Sequence, residues 1–353
     1  MSNIEKIDKN FKVETKIQKD DIVFYNPLEK PFKIYGIFKE DGHFKRIPTN
    51  VAESVSDGVV RLHKDTAGGR IRFKTNSDYV AISAKYNRTG KMPHFALTGS
   101  VGFDLYADNV YTATFVPPFD IEDSYESVID FKIKTENMRD ITINFPLYSC
   151  IDEIYIGLSK NAKIEESAPY KNKKPVVYYG SSITQGGCAS RPGNSYQAVI
   201  SRRLDLDYIN LGFSGNAKGE DEMADYIKNL DMEIFVYDYD HNAPTKEHLE
   251  KTHERMFKII REKNPALPII MMTRPQYNPT PFAKELKPVI EKTYNNAINS
   301  GDKNVYLIDG TCLMEIAKGD GTVDGAHPND LGFFSMAKAV GDVIEEIIKK
   351  TDV

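Results

Sequence analysis

The strongest constraint in this sequence is a change of rhythm near residue 170, where short alternating segments give way to apolar runs separated by amphipathic stretches. Before that point apolar and charged residues alternate with period two, as in Ile71/Phe73 and Ile129/Phe131/Ile133, so one face of each segment points inward. Such segments stand at 21–25, 69–74, 79–84, 109–115, 128–133 and 140–145, divided by turn residues and with no helical stretch read between them. The pattern predicts an antiparallel, jelly-roll-like β-sandwich over residues 1–168.

The run Lys171-Asn172-Lys173-Lys174 reads as a solvated linker. Beyond it, buried-type strands at 175–179, 208–211, 233–237 and 268–272 alternate with helices, the clearest at 246–263 and 281–299. Apolar strands with helical crossovers predict an α/β domain over 169–353, a parallel sheet covered on both faces. Ligands of such sheets bind beyond the carboxyl ends of the strands, and the chemistry is sought there.

Bulk properties narrow the function classes. A length of 353 residues fits two domains of ~150 each. A net charge of −5 without a basic cluster argues against a nucleic-acid partner. No stretch reaches the ~18 apolar residues of a membrane span. Met1–Asp8 lacks an apolar signal-like core. The cysteines, Cys150, Cys188 and Cys312, are odd in number and far apart, so no disulfide framework is expected and a reducing cytoplasm fits. No histidine pair has zinc-ligand spacing: His248 and His253 stand five apart on a helix and face different ways, so neither metal nor cofactor is expected.

Four strand ends carry polar residues suited to acyl chemistry. The first reads Gly180-Ser181-Ser182-Ile183-Thr184, with a serine at the sheet edge; an ordinary strand-to-helix turn would read the same. The second, Asn210-Leu211-Gly212-Phe213-Ser214-Gly215-Asn216, can offer a glycine N–H to a substrate oxygen, Gly212 competing with Gly215. In the third, Asp238–Pro244, the Asn242 amide can donate to a developing oxyanion or simply cap the loop. The last, Asp324-Gly325-Ala326-His327, precedes a helix at 331–350 and places a carboxylate where it can orient an imidazole. The other histidines, His43, His63, His94, His241, His248 and His253, read as surface or packing residues.

In this order the four blocks resemble the SGNH (GDSL-type) hydrolase superfamily. The resemblance implies a three-layer α/β/α domain with Ser182 as nucleophile and Asp324/His327 as its base pair. It also implies an oxyanion hole made by Ser182, Gly215 and Asn242. Ser181 stands where many members have Asp, and Asp240 and Ala243 flank Asn242 where the usual block reads Gly-x-Asn-Asp, which sets the chain apart from the best-studied branches. Gly102-Phe103-Asp104-Leu105-Tyr106 resembles the Gly-x-Asp-Leu-Tyr signature of a β-sandwich that precedes one group of these esterases.

That branch includes carbohydrate esterases, so the expected reaction is removal of short acyl groups, acetyl first, from a saccharide or similar polar alcohol. Arg191, Tyr196 and Arg274 are candidate substrate contacts, each with a structural alternative. Transfer to a non-water acceptor by the same residues is one competing reading. A glycan-binding protein with a degenerate hydrolase half is another. The expected partner is a small-molecule or oligosaccharide ester, with self-association left open.

Overall fold

The alternating half of the sequence pairs into two large antiparallel sheets and a separate two-stranded one, residues 38–40 with 43–45, in a computed structural model that describes residues 16–351. Met1–Asp8, read above for a signal, lies outside the described residues. The strands begin with β1 (Ile22–Tyr25), β2 (Lys33–Tyr35), β3 (Phe38–Glu40), β4 (His43–Lys45), β5 (Arg70–Thr75) and β6 (Tyr79–Arg88). They continue with β7 (Phe103–Ala107), β8 (Val110–Phe115), β9 (Ser124–Asp130), β10 (Arg139–Asn144), β11 (Cys150–Ser159) and β12 (Ile164–Glu165). One sheet runs β1-β11-β6-β9; the other runs β12-β5-β10-β7-β8, with β2 also on β5.

Period two does the expected work in most strands. Ile71, Phe73, Leu105, Ile141 and Ile143 of one sheet meet Val80, Ile82, Ile154 and Ile156 of the other in a single buried core. Each such side chain contributes ~1.5–3 kcal/mol on leaving water. In β9 the alternation stops early: the strand ends at Asp130, and Ile133 is 77 % exposed.

One expectation fails. Two helices, α1 (Thr49–Val55) and α2 (Asp57–Leu62), interrupt the strand-rich half, and Leu97–Ser100 forms a further turn of helix. Their apolar residues, Ala52, Val55, Val59 and Leu62, recur at helical rather than strand spacing. Ser56 caps α2, its side chain accepting from the Val59 N–H. These helices do not pack in the sandwich. Ile47, Ala52, Val59 and Leu62 are buried in the core of the following α/β layer, beside Leu211, Phe213 and Met223.

That layer is a parallel sheet of β13 (Val176–Gly180), β14 (Tyr208–Gly212), β15 (Ile234–Asp238), β16 (Ile269–Met272) and β17 (Val305–Ile308), in the order β14-β13-β15-β16-β17. Its helices are α3 (Ser182–Gln185), α4 (Tyr196–Leu204), α5 (Asp221–Ile227), α6 (Lys246–Lys263), α7 (Pro281–Asn299) and α8 (Asp330–Thr351). Alternate residues serve opposite faces. Val177, Tyr179, Phe235 and Tyr237 meet α1, α2, α5, α6 and α7. Val176, Tyr178, Ile234 and Val236 meet α4 and α8. The strand order reverses direction at β13/β15, which marks the crevice where doubly wound sheets bind ligands.

Arg46 ties the halves together from a fully buried position. Its guanidinium donates to the Leu62, Asp65, Asn210 and Gly212 carbonyls and lies 4.6 Å from the Phe213 ring centroid. The side chains of Lys171, Lys173 and Lys174 are exposed, while Asn172 bonds to both Lys174 and Asp207. All three cysteines are free. Among the described residues no helix is long and apolar enough to cross a membrane.

Candidate active site

β13 ends at Gly180, and the chain turns at once into the one-turn helix α3. Ser181 caps it, its Oγ accepting the Ile183 N–H at 3.2 Å, so the residue that departs from the family's Asp still serves the turn. Ser182 is the first helical residue. Its N–H has no acceptor within the helix, and none is found among the described residues. Tyr148, from the sandwich half, donates its hydroxyl to the Ser182 carbonyl at 3.0 Å.

The histidine arrives on a loop built by its own carboxylate. Asp324 Oδ1 accepts the N–H groups of Ala326 (3.0 Å) and His327 (2.7 Å), a turn that Gly325 permits at φ +85°. Asp324 Oδ2 is then 2.7 Å from His327 Nδ1, and His327 Nε2 is 2.9 Å from Ser182 Oγ. Burial pushes the Asp324 carboxyl up, but the His327 N–H, the His327 ring and the Ala326 N–H together bring it down to about 2. It is therefore ionised wherever the imidazole must be oriented. The loops are cross-linked: the Cys188 N–H donates to Pro328 O at 3.0 Å, and the Ser190 N–H to Asp330 at 2.8 Å. Cys188 itself is no rival nucleophile, because burial and the nearby Asp324 push its thiol up to about 12.

Besides the Ser182 N–H, the candidate donors are Gly215 and Asn242, and their bonding differs. The Gly215 N–H has no partner among the described residues. The half-buried Asn242 amide donates to Phe213 O at 3.2 Å, leaving a second N–H. Gly212 is excluded as a donor, since its N–H is taken by Asn210 Oδ1 at 2.9 Å. Its glycine serves close approach: a Cβ there would stand 2.1 Å from the Gln185 backbone nitrogen. Gln185 links the loops, receiving the Ser214 N–H at 3.0 Å on its carbonyl and donating from its amide to the buried Asp65 at 2.9 Å.

The expected substrate contacts divide. Tyr196 is corrected to a core residue: it has 0 % exposure and packs between Tyr178 and Phe333, so no substrate can reach it. The Arg191 guanidinium is taken up by the sandwich signature, bonding Asp104 and the Tyr106 hydroxyl and lying 3.8 Å from the Tyr111 ring centroid. Asp104, fully buried, also receives the Gly193 N–H (2.8 Å) and Asn144 (2.7 Å). The Gly-x-Asp-Leu-Tyr residues thus hold the loop that follows the nucleophile block. Arg274 bonds the Asp240 carbonyl at 2.7 Å, one residue from His241.

Two of the histidines read as surface or packing residues lie beside His327. His94, exposed on a sandwich loop, places its ring centroid 5.6 Å from that of His327. Burial, then Arg274 and His327, hold the His241 ring well below the ordinary imidazole range, so it stays neutral beside the triad. No local spacing could have revealed either, because tertiary packing creates both contacts. His94, Asp324 and His327 each offer a ligand atom within 4.8 Å of the others, a cluster able to hold a metal ion. A surface concavity of about 860 Å³, lined by Glu254, Arg261 and Asp302, lies at the opposite, amino-terminal edge of the sheet.

Two family models match the chain: the GDSL-like lipase/acylhydrolase family over residues 173–345, and the N-terminus of SGNH-hydro-type esterases over 22–164. No curated protein matches. Among solved structures, a Bacteroides ovatus ATCC 8483 protein assigned as a GDSL-like lipase is similar at 28 % identity and TM-score 0.83, over 93 % of this chain and 98 % of that one. A salicylyl-acyltransferase from a tetracycline biosynthetic pathway shares the fold at 20 % identity and TM-score 0.72, covering 92 % and 96 %. An acetyl xylan esterase from the rumen bacterium Butyrivibrio proteoclasticus does so at 11 % and 0.61, covering 93 % and 99 %.

Proposed function

The chain belongs to the GDSL-like lipase/acylhydrolase family, as a carboxylic ester hydrolase with the N-terminal domain of SGNH-type esterases, and on that premise we propose that it removes short acyl groups, acetyl first, from a saccharide or similar polar alcohol. The observation that carries this reading is the continuous chain from Ser182 Oγ through His327 to Asp324, at 2.9 and 2.7 Å.

In the proposed cycle His327 Nε2 takes the Ser182 proton as Oγ attacks the ester carbonyl. The carbonyl oxygen becomes an oxyanion received by the Ser182 and Gly215 N–H groups and the Asn242 amide. His327 then protonates the departing alcohol, and water repeats the sequence on the acyl-enzyme. Asp324 keeps the proton on Nδ1, which leaves Nε2 free as the base.

The triad is open to solvent: the His327 and Asp324 side chains are 28 % and 36 % exposed. Such a site admits a bulky polar alcohol bearing a small acyl group. Residues 1–168 are read as the sandwich and 169–353 as the catalytic part, the former lending α1 and α2 to the core of the latter. The acyltransferase with this fold keeps transfer to a non-water acceptor in view as a second reading.

Acetate release from acetylated oligosaccharides, alongside fluorophosphonate labelling, tests the proposal. Ser182→Ala should lose both. Labelling that survives the substitution places the nucleophile elsewhere, and product analysis with added acceptor alcohols separates hydrolysis from transfer.

A further inference from the structure

We propose that His94, Asp324 and His327 form a chelating site for a first-row divalent transition metal, Zn²⁺ foremost, and that the bound ion switches the esterase off. The inhibitory half rests on the role assigned above to His327; the binding half does not.

The donor set and its geometry carry the proposal. One ligand atom from each residue lies within 4.8 Å of the other two. Zinc–nitrogen and zinc–oxygen bonds of ~2.0–2.2 Å set the donors of one ion roughly 3–4 Å apart, a difference that side-chain torsions can close. His94 and Asp324 are exposed and His327 is half-buried, so an ion from solvent reaches all three. Two imidazoles and one carboxylate with an open position make a familiar zinc ligand set. Imidazole donors favour zinc, copper or nickel over magnesium and calcium. The sandwich half contributes His94, so the site exists only when both halves are in place.

Silencing follows from whichever His327 nitrogen the ion takes. On Nε2, it occupies the lone pair that would accept the Ser182 proton. On Nδ1, it selects the tautomer whose single proton has moved to Nε2, which leaves no base facing Ser182. In both cases coordination uses the neutral ring, and no bond to substrate is made or broken.

The test uses the full chain, freed of metal by chelation. Zn²⁺ alone is titrated by calorimetry into Ser182→Ala and into Ser182→Ala/His94→Ala, and Co²⁺ visible absorption reports the ligand field. One ion should bind per chain, at least ~10-fold more weakly without His94. Saturating Zn²⁺ should abolish acetate release by the unsubstituted chain, EDTA should restore it, and His94→Ala should require at least ~10-fold more zinc relative to its own metal-free rate. Absent binding, or equal affinity without His94, overturns the site. Binding through His94 with full activity at saturating zinc overturns the inhibition. Tight His94-dependent binding to a chain that hydrolyses no ester supports the metal site while sinking the proposed function.

Discussion

Asn242 is one of three donors proposed to receive the developing oxyanion, and its amide has an N–H left over after bonding Phe213. Asn242→Ala is expected to lower kcat on p-nitrophenyl acetate by ~10²–10³ with little change in KM; an undiminished kcat removes it from the hole. Two acids here respond to pH with opposite signs. Asp324, at about 2, lies below the ~3.9 of an unfolded chain, so its contribution to stability is complete above ~4 and is lost as pH falls through about 2. Asp240 is raised by burial, against the opposing Arg274, to about 6. The folded chain therefore holds a proton that the unfolded chain releases, and stability declines as pH rises from ~4 to about 6. Melting temperatures across that window should fall in the parent and flatten in Asp240→Asn; equal slopes would show that Asp240 does not titrate there.

At the scale of elements, the strand-end loops hold one another in register. Gln185 on α3 takes the Ser214 N–H and reaches back to Asp65, so it connects the nucleophile turn, the glycine loop and the sandwich. Gln185→Leu should lower kcat by about tenfold or more through displacement of the Gly215 loop, leaving fluorophosphonate labelling of Ser182 detectable; unchanged kcat would mean the loop holds its place without that bond. The hydrogen-bonded chain of Ser182, His327 and Asp324 could be anticipated from the sequence because each block is local: a serine at a strand end, and a carboxylate three residues before an imidazole. Arg191 and Tyr196 show the limit of that reading. Strand-end placement brought both near the site, but Asp104 claims one and the Tyr178/Phe333 pair buries the other. Helices α1 and α2 carried a helical apolar spacing in plain view, yet they sit among strands whose period dominated the reading. His94 and His241 left no signal, since distant loops bring them to His327.

For the whole molecule, the boundary in sequence near residue 170 is not a boundary in the hydrophobic core. Ile47, Ala52, Val59 and Leu62 fill one face of the parallel sheet, and Arg46 satisfies carbonyls at the end of β14. Residues 169–353 expressed alone should expose that face. They should give a protein with no cooperative thermal transition, or an insoluble one, and adding residues 46–69 in trans should not fully restore it. A soluble, cooperatively melting, active fragment would show that the shared core is dispensable.

The same arrangement has a consequence for synthesis. Helices α1 and α2 leave the ribosome before any strand of the sheet they cover exists, and the rest of the sandwich must be translated before β13 appears. During that interval their apolar faces have no native partner, a span in which a nascent chain is open to chaperones and to wrong associations. Exchange of either half by recombination at the lysine-rich linker would leave one partner's core unfilled.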